Sequence, residues 1–527
     1  MAWEKIFCAT ALGILAHILV FIRGEWHLRA PAVVVVHVAV LAILAFTSPW
    51  AQTCQWTACY LVGLFASITI YRAFFHRARN FPGPRLAAIS KLWSVYQCLD
   101  YRNHEFLESL HKHYGSFVRS GPAEITVFHP AAWDALDGPD NHNTRSDWYD
   151  LIHPRVSPIL SRTSKDHIER RRPWSKALST KAITQYIPRI LSQIDALDAA
   201  ICRANGAPIV LNDIMLWFSF DAMGEFAFDK SFGMLKDGAW HRAVIQQRSA
   251  LGLLGSLSHT VWAIRLAFAF LARFWRVKDW MDMMAFCDRQ MQRRLETQRA
   301  RVKHQKPSPV DIAAYFIEEY EAGRSQENEG EKWKLLSGNA ISVIVGGREV
   351  SSLFLLICYR FLDLVKTLSD PTDITKLARL PILNGFINET MRIMPGALTF
   401  GSRVTPTEGL MIGGTHIPGG IKVVAPKYSL YRLPSVFESP LSFIPERWYS
   451  RPELIRDKTV FAPFGVGRRV CVGKNLAITQ VRLVAAILLL RYRVGFAPGE
   501  TGDAFERDLR DQLTAQPGRC RVVFERR

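Results

Sequence analysis

Three apolar stretches open the chain, at residues 6–22, 30–46 and 56–71, each about 16–17 residues and so at the short end of a bilayer span. His17 and His37 interrupt the first two. A cleaved leader would have a small-residue processing site and soluble sequence behind it. Two further apolar stretches follow instead, so the pattern predicts up to three membrane-spanning helices over residues 1–80. Beyond residue 80 the periodicity changes. Helix-period segments are predicted at 183–202, 211–228, 279–304, 336–364 and 376–394, with short extended runs at 117–128, 410–417, 422–425 and 521–524. No strong linker or internal repeat divides residues 81–527, and the polar stretch 321–331 reads as an exposed loop. The balance is mainly α, an α+β layout with small sheets set apart in sequence.

Charge adds an orientation. Arg23, His27 and Arg29 separate the first two stretches, 47–55 carries no charge, and Arg72, His76, Arg77 and Arg79 follow the third. The positive-inside rule then puts both basic segments and the main domain in the cytosol, with the amino terminus lumenal. Phe81-Pro82-Gly83-Pro84 denies a helix and reads as a stiff hinge between anchor and domain. The 527 residues carry 66 Lys and Arg against 47 Asp and Glu, a net charge of +19. With no zinc-finger spacing, RNA-binding sheet signature or basic tail, the excess points to membrane lipid and an acidic protein partner rather than nucleic acid.

Nine cysteines form no CxxC pair and no disulfide framework. One stands apart. Residues 461–477 read FAPFGVGRRVCVGKNLA, with Cys471 among turn glycines and arginines ahead of an apolar helical run. A thiolate is a strong, soft ligand for heme iron. Gly467 and Gly473 let backbone N–H groups approach the sulfur, the following helix aims its positive end at it, and Arg469 offers a cation for a propionate.

Phe464, Gly467, Arg469, Cys471 and Gly473 fill every fixed position of F-x-x-G-x-R-x-C-x-G, and the chain resembles the cytochrome P-450 family from about Phe81 to its end, most closely fungal microsomal members of secondary metabolism. The resemblance implies the helix-rich P-450 fold, heme b with Cys471 as axial ligand, and Glu389, Arg392 and Arg447 (in ETMR and PERW) as a buried triad behind the heme. It implies propionate contacts from His167, Arg171 and Arg403. It also aligns Gly346, Gly347 and Glu349 with the distal motif where dioxygen sits beside iron. One departure stands there: the family's usual threonine is Val350, which neither donates nor accepts a hydrogen bond, and Ser351 lies about 100° further round the helix. Tyr431 and Leu433 replace the family's frequent histidine and aspartate.

The activity implied is insertion of one oxygen atom from O2 into a lipophilic terpenoid, alkaloid or polyketide. No GxGxxG opens a βαβ unit, so electrons must come from a separate NADPH-dependent flavoprotein reductase in the same membrane, the endoplasmic reticulum, docked near Arg468, Lys474 and Arg482. Val350 keeps open a heme-thiolate enzyme that rearranges, dehydrates or couples its substrate without net oxygen insertion. A non-catalytic membrane heme protein is the third reading. Residues 143–158 and 250–259 are the expected substrate contacts.

Overall fold

The computed structural model describes residues 2–304, 311–322, 328–347 and 370–527. Three helices, Trp3–Phe21, Ala30–Thr47 and Trp50–Phe75, are long and apolar enough to cross a membrane. The uncharged link expected at 47–55 is shorter than that: only Ser48 and Pro49 separate the second and third helices. Proline just ahead of a helix loses no ladder hydrogen bond, so the helix restarts at once. The first and third helices pack closely. A Cβ on Gly13 would lie 2.1 Å from the Tyr60 carbonyl oxygen, and one on Gly63 2.3 Å from that of Thr10, so only glycine allows this approach. The two histidines are tied across the bundle, His17 Nδ1 to the Ser67 hydroxyl (2.8 Å) and His37 Nε2 to the Tyr60 hydroxyl (3.1 Å), which satisfies polar groups that hydrocarbon could not.

The loop between the first two helices folds onto the main body. Arg162 forks the Glu25 carboxylate (2.5 and 2.7 Å) and reaches Asp150 (2.9 Å), whose carboxylate also meets His27 Nε2 at 2.9 Å. The apolar helix Val261–Phe270 lies against the second N-terminal helix. The N-terminal helices and the main body meet again where Arg119 Nη2 donates to the Arg72 carbonyl (2.9 Å) and Arg77 to that of Gly419.

In the main body, helices Thr180–Arg203, Leu211–Phe228, Trp275–Lys303, Glu329–Gly346 and Lys474–Arg491 enclose one large apolar core. The segment expected as one helix over 376–394 is two, Ile374–Arg379 and Pro381–Ile393, because Pro381 has no N–H to continue the ladder and biases Leu380 away from helical dihedrals. The run 117–128 is a hairpin, Phe117–Gly121 against Glu124–Val127. It edges a five-stranded sheet continued by Lys422–Val424, Ser402–Val404 and Thr144–Arg145. This sheet carries a second core cluster and brings Arg145 opposite Arg403.

Candidate heme-thiolate site

The cysteine loop is shaped by its glycines. Gly467 sits at φ +62°, and a Cβ there would fall 2.0 Å from the Asp137 carbonyl oxygen, so the position admits only glycine. Cys471 N–H donates to the Phe464 carbonyl (2.8 Å), closing the loop. Gly473 caps the helix Lys474–Arg491, and its Cβ position lies 3.9 Å from Cys471 Sγ, so the helix presents its positive end to the sulfur. Cys471 is exposed in the protein chain alone and forms no disulfide.

The helix Ser164–Ala177 braces this loop. Arg171 Nη1 donates to the carbonyls of Val470 (2.6 Å) and Arg468 (3.4 Å). His167 has Nδ1 2.9 Å from the Pro158 oxygen and Nε2 3.2 Å from that of Arg468. Burial, with Arg145, Arg469 and Arg171 adding to it, pulls the imidazole down to about 4 despite the Pro158 bond, so it is neutral. A neutral ring has one N–H, so only one of these contacts is a hydrogen bond at a time. Arg469 donates to the carbonyls of Ser161 (2.9 Å) and Arg162 (3.1 Å). Phe464 packs against the main core.

Beside the loop lies a crowd of cations with too few anions. Arg403 grips Asp137 in a two-pronged pair (Nε–Oδ1 2.7 Å, Nη2–Oδ2 2.6 Å) and donates to the Tyr149 hydroxyl (3.2 Å). The Arg145 guanidinium stacks 4.4 Å over the Tyr149 ring, and its buried Nε has no partner among the described residues. Burial, then the charges of Arg403 and Arg469, draws Arg145 down to about 9. Arg469 falls to about 10 by burial and by Arg403. Three arginines share one carboxylate, an excess suited to the two propionates of a porphyrin. Sequence reasoning missed Asp137, Arg145 and Tyr149, which the fold gathers from the end of a short helix, a two-residue strand and a 3-10 turn.

The helix Glu329–Gly346 packs so tightly that a Cβ on Gly338 would meet the Val156 oxygen at 2.0 Å. At its end, a Cβ on Gly346 would have nothing within 4 Å among the described residues, whereas Gly347 is pressed on Met223. Glu349, Val350 and Ser351 lie outside the described residues.

Glu389, Arg392 and Arg447 have no exposed side-chain surface. Arg392 forks Glu389 (Nε–Oε2 2.9 Å, Nη2–Oε1 2.8 Å), and Arg447 Nε meets Oε1 at 3.1 Å. Ile444 N–H and the Trp448 indole complete the carboxylate, both at 2.9 Å. Tyr431 joins this knot to the cysteine loop. Its carbonyl accepts from Arg392 (3.0 Å), and its hydroxyl accepts from the N–H of Ala462 (2.9 Å). Lys427 adds a second tie, to the Pro463 carbonyl (2.9 Å). Among the three suggested docking cations, Arg468 and Lys474 are exposed, but Arg482 is half-buried and clamps the Asn384 side chain (2.5 and 2.8 Å).

These residues fit a heme: an accessible sulfur at a helix N-terminus and arginines short of counter-charge beside it. Comparison with known proteins gives the same direction. The family model described as Cytochrome P-450 matches residues 82–356 and 362–523. A cytochrome P-450 monooxygenase of Fusarium pseudograminearum is 32% identical over 549 residues, covering 98% of this chain and 96% of the relative. The tryprostatin B 6-hydroxylase of Aspergillus fumigatus is 32% identical over 532 residues, covering 94% and 92%. The crystal structure of the cytochrome P-450DA heme domain shares the fold at a TM-score of 0.63 and 16% identity, over 81% of this chain and 94% of that one. Cysteine loop, family match and full-length relatives converge: the chain belongs to the cytochrome P-450 family and is a heme-dependent monooxygenase.

Proposed function

We propose that this chain oxidises a lipophilic secondary metabolite, a terpenoid, alkaloid or polyketide, on the cytosolic face of the endoplasmic reticulum. Residues 1–80 are the membrane anchor and 81–527 the catalytic domain. The observation that carries the reading is Cys471 at a helix N-terminus, two residues from Arg469, with Arg145 and Arg403 close enough to feel that arginine's charge and Asp137 paired to Arg403. Heme b, bound through Cys471, supplies the activation of dioxygen. The chain's own residues do the rest. The Gly473 helix terminus and the Arg171 guanidinium favour the sulfur as an anion. Arg145, Arg403 and Arg469 would hold the propionates, and Gly346, with nothing within 4 Å of its Cβ position among the described residues, would leave room for dioxygen and substrate.

Exposed Arg468 and Lys474 form the docking face for an acidic, NADPH-dependent flavoprotein reductase. The cytosolic orientation is supported by the Glu25–Arg162–Asp150–His27 network. A loop in contact with the main body lies on the same side of the membrane as that body, which agrees with its basic charge. The relative named as a hydroxylase supports hydroxylation as the reaction.

Two measurements test the proposal: the reduced carbon-monoxide difference spectrum of the full chain in membranes, and ¹⁸O incorporation into product from host metabolite extracts under ¹⁸O2 with reductase and NADPH. A thiolate-type spectrum and label in the product are expected. A histidine-type spectrum sinks the ligand assignment. Val350 in place of the usual threonine favours one alternative, net rearrangement or coupling, and product formed without label would establish it.

A further inference from the structure

A small cavity lies where the five-stranded sheet meets the turn after the helix Arg242–Leu257 and the strand pair near Asp511. Its volume is about 60 Å³. By the measure in which one water needs roughly 10–15 Å³, that is room for a few waters or one substituent, not a whole molecule. Trp148, Leu254, Phe400 and Leu513 give it apolar walls. It adjoins the heme-thiolate site through Ser402, the neighbour of Arg403, and through Phe400, whose ring sits edge-on to Trp148 at 4.4 Å.

The two lysines inside are already matched. Glu124 takes Lys91 (2.5 Å), the Ser120 hydroxyl (3.0 Å) and Lys422 (3.4 Å). Burial works against its charge, but the two lysines outweigh burial and keep it below the ordinary carboxylate range. Lys422 also reaches Asp147 (3.6 Å). Asp511 accepts from the Thr399 hydroxyl, to which Asn103 Nδ2 donates at 2.7 Å. One atom is left over. His259, in the turn between Arg242–Leu257 and Val261–Phe270, presents a buried Nε2 with no partner among the described residues. Burial, then Lys91 and Lys422, pulls this imidazole down to about 3, so it is neutral at physiological pH.

We propose that His259 is the specificity-determining residue that positions substrate by a hydrogen bond to a neutral polar group, a hydroxyl or an amide. The inference rests on the heme-thiolate reading above and deepens it by naming a substrate feature. The logic is subtractive. A carboxylate entering this cavity would lose its hydration and find both lysines already committed. A hydroxyl serves either tautomer of the imidazole, because it both donates and accepts. The location suits the task too: His259 is two residues from the helix that lies on the second N-terminal span, where a lipophilic molecule leaves the bilayer.

The test uses the full chain loaded with heme in nanodiscs, with equilibrium dialysis against five cage probes: adamantane, adamantanol, adamantane carboxamide, adamantane carboxylate and trimethyladamantylammonium. Empty nanodiscs give the lipid background. The carbon-monoxide spectrum is recorded on each preparation, so loss of the heme-thiolate centre is separated from loss of discrimination. With that spectrum intact, His259→Leu should weaken adamantanol and the carboxamide by about fivefold, the worth of one net hydrogen bond, and leave adamantane unweakened. His259→Gln, which keeps a hydrogen-bonding atom, should retain the alcohol's advantage even if leucine disturbs packing. Equal losses for alcohol and hydrocarbon overturn the proposal, as does a carboxylate that binds tightest or a glutamine variant that behaves as leucine does.

Discussion

Glu389→Gln is the substitution whose cost follows most directly from geometry. The carboxylate accepts five hydrogen bonds: Oε1 from Arg392 Nη2, Arg447 Nε and Ile444 N, and Oε2 from Arg392 Nε and Trp448 Nε1. Glutamine has the same shape but must turn an NH2 toward one of the two sets. The smaller set still strands two buried donors, at about 1–3 kcal/mol each, and thus about 2–6 kcal/mol in total. Breaking a buried ion pair from one side costs about 3–5 kcal/mol, which agrees. Set against a folding stability of about 5–15 kcal/mol, a mid-range loss of about 4 kcal/mol removes between about a quarter and about four-fifths of what holds the chain together. Trp448→Phe deletes one donor and leaves Glu389 four, for about 1 kcal/mol. The assay is the fraction of expressed protein that gives the thiolate carbon-monoxide signature, and the temperature at which half of it is lost. Most of the signature should vanish in Glu389→Gln and survive, at slightly lower temperature, in Trp448→Phe. Wild-type behaviour of Glu389→Gln, or equal damage from both variants, would refute the hydrogen-bond accounting.

Three further outcomes are expected. Cys471→Ser should abolish the thiolate signature and oxygenation with little change in fold, checked by the same spectrum and by circular dichroism. Asp511 is pushed up to about 6 by burial, so its ionised form is disfavoured in the folded chain. The penalty is absent below about pH 4, grows between about 4 and 6 and is constant above. Asp511→Asn should therefore stabilise by up to about 3 kcal/mol near pH 7.5 and have little effect near pH 4, read from thermal inactivation at both pH values. Glu25→Cys in sealed microsomes should react with a membrane-impermeant maleimide from the cytosolic side; labelling only after permeabilisation would reverse the topology.

The parts of the site carried by contiguous sequence were readable before any coordinates. The cysteine loop packs glycines, arginine and thiol into ten residues, and E-x-x-R is one helical turn, so each states its own geometry. Asp137 and Arg403 are not of this kind. They meet only because the strand Ser402–Val404 pairs with Thr144–Arg145 and lies beside the end of a short helix, across 266 positions of chain. His259, Lys91 and Asp511 likewise share a cavity without local pattern; the sequence marks residues 250–259 as expected substrate contacts but gives the histidine at their end no separate role. The break at Pro381 was legible and overlooked, since helical periodicity on both sides masked the missing N–H. Tyr431 registers in the sequence only as a family mismatch, yet it is the residue that ties the buried ion knot to the loop bearing the thiol.

The contact between the first interhelical loop and the body bears on how this enzyme is made in the laboratory. Deleting the leading eighty residues to obtain a soluble version would not merely untether it. Arg162 would lose the Glu25 carboxylate and Asp150 the His27 imidazole, and Arg162 shares its backbone carbonyl with Arg469 of the cysteine loop. A shortened version should therefore keep the acid at position 25 in reach, by grafting residues 22–29 back or by supplying a carboxylate nearby, if its pigment is to remain firmly seated.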